Sequence, residues 1–341
     1  MKRLLNTLYV TNPDARLRKK DDAICVAVDG APSMSVPFHV LESVVLFGHV
    51  GCSMALLAAC AERGVSVTIL DERGRFKARV EGETTGNVLL RREQYRMSAD
   101  ADACLQLSRR FVMAKIHNAR IVLQHYARDY PDISESIRPV VEYLQRSKAA
   151  VTEASTLDGL RGVEGDAAHA YFTAFPFLLR ANDASDLFCG RSRRPPKDPV
   201  NAVLSFFYTM LSRDITSACE SVGLDSQMGF LHACRPGRES LALDVIEELR
   251  AFYVDRFVLT LFNRGQLDRE DFRFEAGGAV FFKEHSIKRA LSAWQKKKQE
   301  NVMHPFLRER IPYGLLPFAQ AQLLARYLRG DLNDYPACLW R

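Results

Sequence analysis

Three segments in the second half of the chain carry acidic and histidine residues of the types that bind a divalent cation. These residues are Glu164, His232 and the group Asp244, Glu247 and Glu248. Residues three and four positions apart share one face of a helix, so this group places like charges close together, and a bound cation would relieve their repulsion. Two carboxylates and one imidazole are enough to hold a hard or borderline divalent ion and to leave positions for water and a phosphate oxygen.

Such an ion polarises a phosphodiester and lowers the pKa of an attacking hydroxyl, so these residue types indicate phosphoryl-transfer chemistry. The carboxylates favour Mg²⁺, and the imidazole makes Mn²⁺ at least as suitable. Each segment alone also has a structural interpretation. Glu164, between two glycines at the start of a predicted helix, suits the helix dipole, and His232 follows three nonpolar residues in the manner of a structural histidine. The third segment is also typical of an ordinary acidic first turn after Ser240.

Two further segments carry basic residues that suit contacts with DNA phosphates. A proline-stiffened loop contains Arg191, Arg193, Arg194 and Lys197, and a second stretch contains Lys288, Arg289, Lys296, Lys297 and Lys298, followed by Arg308 and Arg310. A solvated charged surface is the alternative interpretation of either segment. Two such segments in a chain of 341 residues with a formal net charge of +6 favour binding to a phosphate backbone.

Several signals that would indicate other classes of protein do not occur in the sequence. It contains no GxxxxGK[ST] phosphate loop, no GxGxxG after a predicted strand and no GxSxG elbow. The eight cysteines are scattered and form no CxxC pair, which indicates reduced thiols rather than a zinc cage or a disulfide framework. We therefore expect a soluble cytoplasmic protein that is neither a P-loop nor a Rossmann enzyme.

Short segments rich in β-branched and aromatic residues dominate the first 82 residues. The predicted strands are 4–10, 23–28, 35–40, 44–47, 65–70 and 75–80. One helix, from Ser53 to Arg63, interrupts them, with Ser53 as its N-cap and Gly64 as its C-cap. The uncharged window from Ser43 to Ala61 is therefore predicted to form a strand, a glycine turn and a buried helix rather than a membrane span.

Beyond Gly86 the apolar residues recur at helical spacing, as in 101–130, 167–179, 200–222, 241–263 and 285–300. The predicted fold class is therefore α+β. A small N-terminal mainly-β domain, sandwich-like and spanning 1–85, is followed by a linker at 86–100. A larger all-α C-terminal domain, 101–341, carries the candidate catalytic residues.

The same segments, in the same order, resemble the signature blocks of the CRISPR-associated spacer-acquisition integrase and endonuclease family, Cas1. In the first half, the similar runs are Leu41 to Gly48, Gly64 to Leu70, Arg91-Arg92 with Gln94, and Ala114 to Asn118. In the helical half they are Glu164-Gly165 leading to Tyr171-Phe172, Asn201 to Tyr208, Gly229 to His232, and Ser240 to Glu247. Any one run is weak, whereas their joint order and spacing is specific. The overall character resembles a type I system, with subtype I-C as the nearest.

This resemblance implies an N-terminal domain that forms a homodimer and a C-terminal α-helical domain with one metal site. The implied Mg²⁺ or Mn²⁺ ligands are Glu164, His232 and Glu247, with Asp244 as a nearby catalytic support. Because some members carry aspartate at the third ligand, the division of roles between Asp244 and Glu247 stays open. The implied partners are double-stranded DNA, as prespacer and repeat array, and the small adaptation protein Cas2.

The function expected from these features is insertion of short DNA fragments into a repeat array by 3′-hydroxyl transesterification. Two other functions stay open at this point. One is a structure-selective nuclease on branched DNA, which would use the same ligands without a small partner. The other is a non-catalytic DNA-binding scaffold, in which the acidic cluster is structural and Glu164→Ala harms folding more than chemistry.

Overall fold

The computed structural model describes residues 6–72, 76–80, 82, 88–180, 187–192 and 195–341. The chain divides into two compact units. Unit 1 consists of Met1–Thr84 and Phe282–Gln299, and unit 2 of Thr85–Phe281 and Glu300–Arg341. The predicted division into consecutive domains is therefore wrong in one respect, because a segment far along the chain folds with the N-terminal unit.

Unit 1 contains two four-stranded sheets, as the predicted sandwich-like domain requires. Their strands are β1 (Asn6–Val10), β2 (Arg16–Lys20), β3 (Ala23–Ala27), β4 (Met34–Pro37), β5 (Leu41–Phe47), β6 (Gly51–Cys52), β7 (Ser66–Leu70) and β8 (Phe76–Val80). One sheet has the order β1-β5-β7-β8, and its first three strands are parallel. The other has the order β4-β3-β2-β6, in which β4, β3 and β2 are antiparallel and β6 pairs with β2 in parallel.

The core of unit 1 contains residues from both sheets and from one helix, α1 (Met54–Glu62). Val44 of β5, Ile24 of β3 and Leu56 of α1 are among its buried members. Helix α1 has the predicted ends: the Ser53 hydroxyl accepts a hydrogen bond from the Leu56 N–H at 3.3 Å, and Gly64 takes a positive φ of 67°. Helix α1 connects the parallel strands β5 and β7.

Long helices form most of unit 2. Among the described residues, the further α-helices are, in chain order, α2 (Val88–Ser98), α3 (Ala101–Asp129), α4 (Ser134–Glu153), α5 (Leu157–Ala174), α6 (Pro199–Ser221), α7 (Ser240–Leu249), α8 (Arg256–Asn263), α9 (Glu284–Gln299) and α10 (Leu316–Leu328). Of these, α9 belongs to unit 1. Helix α3 packs against α4, α5 and α7 and so holds together the helices that carry the candidate ligands.

Side-chain caps set the starts of these helices. Asp100 accepts hydrogen bonds from two backbone N–H groups at the start of α3, Thr156 from one at α5, and Asp198 from one at α6. The cap at Thr156 places the beginning of α5 two turns before Glu164. The described part of the predicted linker, from residue 88, forms α2 and the Asp100 cap instead of a loop.

The predicted continuous helix 241–263 is interrupted by a π-helical segment, Arg250–Asp255, between α7 and α8. Segments of this kind insert an extra residue into a helical turn and are frequent at functional sites. Four short strands also interrupt the region predicted to be wholly helical. They form two hairpins: β9 (Phe272–Phe274) with β10 (Val280–Phe282), and β11 (Asn301–Met303) with β12 (Arg310–Pro312).

The window from Ser43 to Ala61 forms most of β5, the short strand β6 and most of α1, so the predicted strand and helix are both present. The helix is not fully buried as predicted, because Met54, Ala55 and Ala58 are exposed. Among the described residues, no helix combines the length and the apolar character that crossing a membrane requires.

Candidate active site

Glu164 lies in the interior of α5, not at its start. The interpretation of Glu164 as a partner of the helix dipole is therefore wrong, because dipole effects decay within the first turn. Its carboxylate is partly exposed and contacts the Lys115 ammonium, which extends from α3. An acidic side chain paired with a lysine from a neighbouring helix indicates a tertiary site rather than a cap.

Lys115 joins two of the candidate ligands. Its Nζ contacts Oε1 of Glu164 and lies 2.6 Å from Oε2 of Glu247 on α7. The side chains of Lys115 and Glu247 are only 11% and 6% exposed. Carboxylates from two helices therefore flank one cation in a nearly closed environment.

Glu247 has a second cationic partner in Arg250, at the start of the π-helical segment. Arg250 Nη1 donates to Glu247 Oε1 at 2.6 Å. Burial opposes ionisation of this carboxyl, but Arg250 and Lys115 outweigh it and hold the pKa of Glu247 well below its usual range. Glu247 Oε2 is buried and has no aligned hydrogen-bond donor, although the ammonium is within ion-pair distance. The site thus contains an ionised carboxylate oxygen that the protein does not fully satisfy.

Asp244 has a different role from Glu247. One of its oxygens accepts hydrogen bonds from the backbone N–H groups of Phe230 and Leu231, at 2.6 and 3.1 Å. The other accepts from the His232 N–H at 2.9 Å and lies 2.7 Å from the His232 ring nitrogen Nδ1. A carboxylate has about four lone-pair positions, so these four contacts fill Asp244. It holds a loop and orients a histidine.

This contact also determines which nitrogen of His232 is available. The fully buried Asp244 carboxylate can only accept at Nδ1, so Nδ1 is the donor in this contact and Nε2 is the ring nitrogen that Asp244 leaves available to a ligand. The His232 side chain is 25% exposed. An imidazole oriented in this way and reached by solvent is the usual form of a histidine metal ligand.

The loop that carries His232 is attached to both ligand-bearing helices. Arg161, one turn before Glu164 on α5, donates from Nε and Nη2 to the Leu231 carbonyl at 2.9 and 2.6 Å. Gly229 begins the loop where it passes close to α7: a Cβ there would lie 2.8 Å from the Ser240 carbonyl carbon and 2.9 Å from Asp244 Oδ2. The segments that carry Glu164, His232 and Glu247 therefore meet in space.

Within the described part of the chain, no three His, Cys, Asp or Glu side chains converge closely enough to hold a metal ion as they stand. The Lys115 ammonium lies between the two carboxylates instead. The donor set nevertheless fits a divalent cation in its chemistry, since it combines an incompletely satisfied carboxylate oxygen, a second carboxylate and an imidazole nitrogen with a free lone pair.

Glu248, predicted to share one acidic face with Asp244 and Glu247, does not join them. Its carboxylate is fully buried and accepts hydrogen bonds from Tyr335, Gln320 and the Cys338 N–H. Burial raises the pKa of Glu248 to about 7 against these hydrogen bonds. Glu248 therefore ties the C-terminal segment to α7 and is not part of the candidate site.

A second buried carboxylate, that of Asp255, lies in the π-helical segment that begins at Arg250. Asp255 accepts a hydrogen bond from the Tyr208 hydroxyl, and the Arg250 guanidinium lies 4.3 Å from the centroid of the Tyr208 ring. Burial raises the pKa of Asp255 to about 6. The Tyr208–Asp255 hydrogen bond links the π-helical segment to α6, and Tyr208 also packs against Arg250. Tyr171 and Tyr208 are both buried.

The basic residues proposed for DNA differ in how the structure places them. Lys197, Lys288, Arg289 and Lys296 are exposed, and Lys288 also pairs with Glu284 at 3.4 Å. Arg191 is half-buried, donates to Asn201 Oδ1 at 2.5 Å and packs over the rings of Phe172 and Tyr208. Lys297 is half-buried. Arg193 and Arg194 lie outside the described residues.

Lys298 does not face solvent. It is 2% exposed and donates a hydrogen bond to Thr7 Oγ1 at 3.3 Å, inside unit 1. A buried ammonium cannot contact DNA without leaving this position, so Lys298 is corrected from a DNA contact to a structural residue. Helical geometry explains the difference, because three consecutive lysines point in three directions and one of them faces the core of the unit.

Three residues of the site were not singled out from the sequence as functional: Lys115, Arg161 and Arg250. Lys115 had a detectable signal, since it follows Phe111 by four positions on the apolar face of α3, and a lysine there requires a buried partner. Arg250 lies three positions after Glu247, which is the spacing of a helical ion pair. Arg161 also has a helical ion pair, with Asp158 three positions before it, but no sequence signal indicates its contact with the distant Leu231 carbonyl.

Comparison with known proteins identifies the family of this chain. The family model described as "CRISPR associated protein Cas1" matches residues 8–296. A CRISPR-associated endonuclease Cas1 of Chlorobaculum tepidum is 46% identical over 343 residues, covering all of both chains.

Two solved structures share the fold. A casposase bound to its integration product has a TM-score of 0.84 at 21% identity and covers 98% of this chain and 94% of its own. A Cas6-RT-Cas1–Cas2 complex has a TM-score of 0.82 at 22% identity and covers 99% of this chain and 36% of its own. The extent of the family match and the full-length identity together show that this chain belongs to the Cas1 family of CRISPR-associated proteins.

Proposed function

We propose that this chain is a metal-dependent DNA endonuclease and integrase of CRISPR adaptation, the step of antiviral defence that inserts short DNA fragments into a repeat array. One observation carries the proposal. Asp244 orients His232 so that Nε2 is available, on a loop attached to the helices whose Glu164 and Glu247 carboxylates already share one cation. The names of the related proteins support the same chemistry: an endonuclease in one case and an integrating enzyme in the other.

Glu164, His232 and Glu247 are the residues that would hold Mg²⁺ or Mn²⁺. When bound, the ion supplies charge stabilisation at the phosphoryl oxygens and lowers the pKa of the attacking hydroxyl. Asp244 acts through His232 and is a positioning residue. We therefore assign the role of direct metal ligand to Glu247 rather than to Asp244. Arg250 keeps Glu247 ionised, and Arg161 keeps the loop in place.

In the proposed reaction the 3′-hydroxyl of a captured DNA fragment attacks a phosphodiester of the repeat. A new O–P bond forms, the old O3′–P bond breaks, and the released 3′-oxygen takes up a proton. No covalent intermediate between protein and DNA is required, since positioning and electrostatics can supply the catalysis. Water in place of the hydroxyl gives cleavage, and the reverse reaction removes a branch from DNA.

The proposed partners are double-stranded DNA, a second copy of this chain and the small protein Cas2, which is named in the complex of one structural neighbour. The exposed residues Lys197, Lys288, Arg289 and Lys296 are the proposed backbone contacts, together with Arg193 and Arg194. Subtype I-C stays a prediction.

A strand-transfer assay tests the proposal. Purified protein would be incubated with a labelled 3′-hydroxyl duplex and a repeat-containing plasmid in Mn²⁺, Mg²⁺ or EDTA, with and without a candidate Cas2. We expect label to join the plasmid only with metal, and His232→Ala to lower the yield by more than about 100-fold. His39→Ala, an exposed histidine in unit 1, is the matched control and should retain wild-type yield.

The other two functions predict different results in the same assay. Cleavage of branched DNA without strand transfer, and without an effect of the small partner, would favour the structure-selective nuclease. Binding of DNA with neither joining nor cutting in any divalent ion would contradict the active-site assignment and favour the scaffold, above all if Glu164→Ala then lowers thermal stability.

A further inference from the structure

Lys115 occupies the position of a cation between two carboxylates. It extends from the buried face of α3, and its ammonium contacts Glu164 on α5 and Glu247 on α7. A lysine that is 11% exposed requires compensation of its charge. Both partners are proposed metal ligands, so the ammonium and a divalent ion would compete for the same oxygens.

The two cations at Glu247 are not equivalent. Arg250 donates to Oε1, whereas Lys115 faces Oε2, the oxygen on the side toward Glu164. Arg250 is further held by packing over Tyr208 at 4.3 Å. Its planar guanidinium is suited to a fixed pairing, while a lysine carries its charge on a flexible four-carbon stem. Lys115 can therefore move away from Glu247 while the ion pair between Arg250 and Glu247 stays intact.

The charges of the four groups balance as they stand. Glu164 and Glu247 contribute two negative charges, and Lys115 and Arg250 two positive charges. A divalent ion bound to the same carboxylates would meet the ammonium at short range in a poorly screened environment, where like charges repel strongly. Metal binding therefore favours a different position for the Lys115 side chain.

Space for such a movement exists beside Lys115. A cavity of about 20 Å³, large enough for one water molecule, is lined by Lys115 together with Tyr171, Tyr208 and Asp255. The Asp255 carboxylate offers an alternative counter-charge there. The cavity is otherwise lined mainly by apolar side chains, so Asp255 is the acidic partner that the displaced ammonium would find there.

We propose that Lys115 is the resident counter-cation of the metal-free site, displaced from Glu164 and Glu247 when a divalent ion binds. It thereby sets the metal affinity of the site while keeping its carboxylates in place without metal. The inference rests on the proposed metal centre, and it assigns to Lys115 a positioning role that the catalytic proposal does not contain.

The test measures Mn²⁺ binding and stability rather than activity. Isothermal titration calorimetry with Mn²⁺ would compare wild type, Lys115→Met and Lys19→Met, which removes an exposed lysine of β2 and makes the same change in net charge. We expect Lys115→Met to bind Mn²⁺ about tenfold or more tightly than wild type and Lys19→Met to match wild type. In EDTA, Lys115→Met should melt at a lower temperature than wild type and Lys19→Met. Mn²⁺ should raise the melting temperature of Lys115→Met by more than it raises that of the other two proteins.

Further variants distinguish a failure of the role proposed for Lys115 from a failure of the proposed metal centre. Lys115→Arg keeps the positive charge and should restore stability in EDTA without tighter Mn²⁺ binding. Equal Mn²⁺ affinity in wild type and Lys115→Met, with weaker binding by Glu164→Gln, would overturn the role of Lys115 and leave the metal centre standing. Unchanged Mn²⁺ binding by Glu164→Gln would overturn the metal centre itself, and the inference with it.

Discussion

Neighbouring acidic residues of α7 have separate tasks at the level of single side chains. Asp244 holds a loop, Glu247 faces Lys115 and Arg250, and Glu248 holds the C-terminal segment. Their environments separate their ionisation as well, because nearby cations lower the pKa of Glu247 while burial raises that of Glu248. Position on a helix alone does not distinguish these roles, since all three carboxylates are buried.

Glu248 predicts a pH dependence of stability. Its pKa in the folded protein, about 7, lies above the ordinary 4.5, so the folded state binds the proton more tightly than the unfolded state. Its contribution is fully present below about pH 4.5 and is lost as the pH rises through about 7, by up to roughly 3 kcal/mol. Urea unfolding from about pH 5.5 to 8.5 measures this loss.

Glu248→Gln is the matched variant for that measurement. The amide resembles the protonated carboxyl, and the Tyr335 hydroxyl can rotate to accept from it. Asp255, whose pKa burial raises to about 6, titrates in the same range, so the difference between wild type and Glu248→Gln isolates Glu248. We expect Glu248→Gln to match wild type at low pH and to become the more stable of the two as the pH rises through about 7. Parallel unfolding curves for the two proteins would show that Glu248 does not carry the dependence.

At the scale of elements, the site depends on how closely the loop 229–232 approaches α7. We expect Gly229→Ala to lower the free energy of unfolding by about 1–3 kcal/mol, because its methyl group would overlap Ser240 and Asp244. Gly165→Ala is the control: a Cβ there meets nothing within 4 Å, and alanine in a helix interior adds up to about 1 kcal/mol of stability. Chemical denaturation of both variants checks this. A Gly229→Ala protein as stable as wild type would mean that the loop can move away without cost.

Elements were predictable from the sequence where local signals set them. Helix α1 has the predicted ends because a serine cap and a glycine mark them. Strand β2 was missed because four of its five residues are charged and only Leu17 is buried, so it lacks the alternating apolar pattern of a strand. Glu164 was placed at a helix start because flanking glycines resemble a break, whereas the Thr156 cap lies eight residues earlier.

Contacts between residues far apart in the chain could not be predicted from local sequence signals. The residue types of the candidate site, Glu164, His232 and Glu247, were identifiable from chemistry and resemblance. The contact of Lys115 with both carboxylates, and of Arg161 with the Leu231 carbonyl, joins residues far apart in the chain. A local sequence pattern does not predict which backbone carbonyl accepts a hydrogen bond from a distant guanidinium, because that contact depends on the tertiary fold.

At the scale of the whole molecule, each unit contains one of the two tryptophans. Trp294 is fully buried in α9 of unit 1, and Trp340 in unit 2 stacks on Phe252 with ring centroids 5.5 Å apart. The Trp340→Phe variant retains only Trp294, so its intrinsic fluorescence reports thermal unfolding of unit 1. The Trp294→Phe variant retains only Trp340 and reports unfolding of unit 2.

All three proposed ligands lie in unit 2. We expect Mn²⁺ at about 100 times its dissociation constant to stabilise unit 2 by roughly 2.7 kcal/mol and so to raise the midpoint reported by Trp340. The midpoint reported by Trp294 should stay at its value in EDTA. A shift of both midpoints by the same amount would show that the units unfold as one cooperative block.

The discontinuous composition of unit 1 has a consequence for synthesis on the ribosome. Its two sheets are translated first, but α9, with the buried Trp294, follows only after most of unit 2. At roughly 5–20 residues per second, translation of the intervening segment takes on the order of 10 to 40 s. During that interval the sheets lack the contact between β1 and α9, so we expect unit 1 to complete its folding only after α9 has been translated.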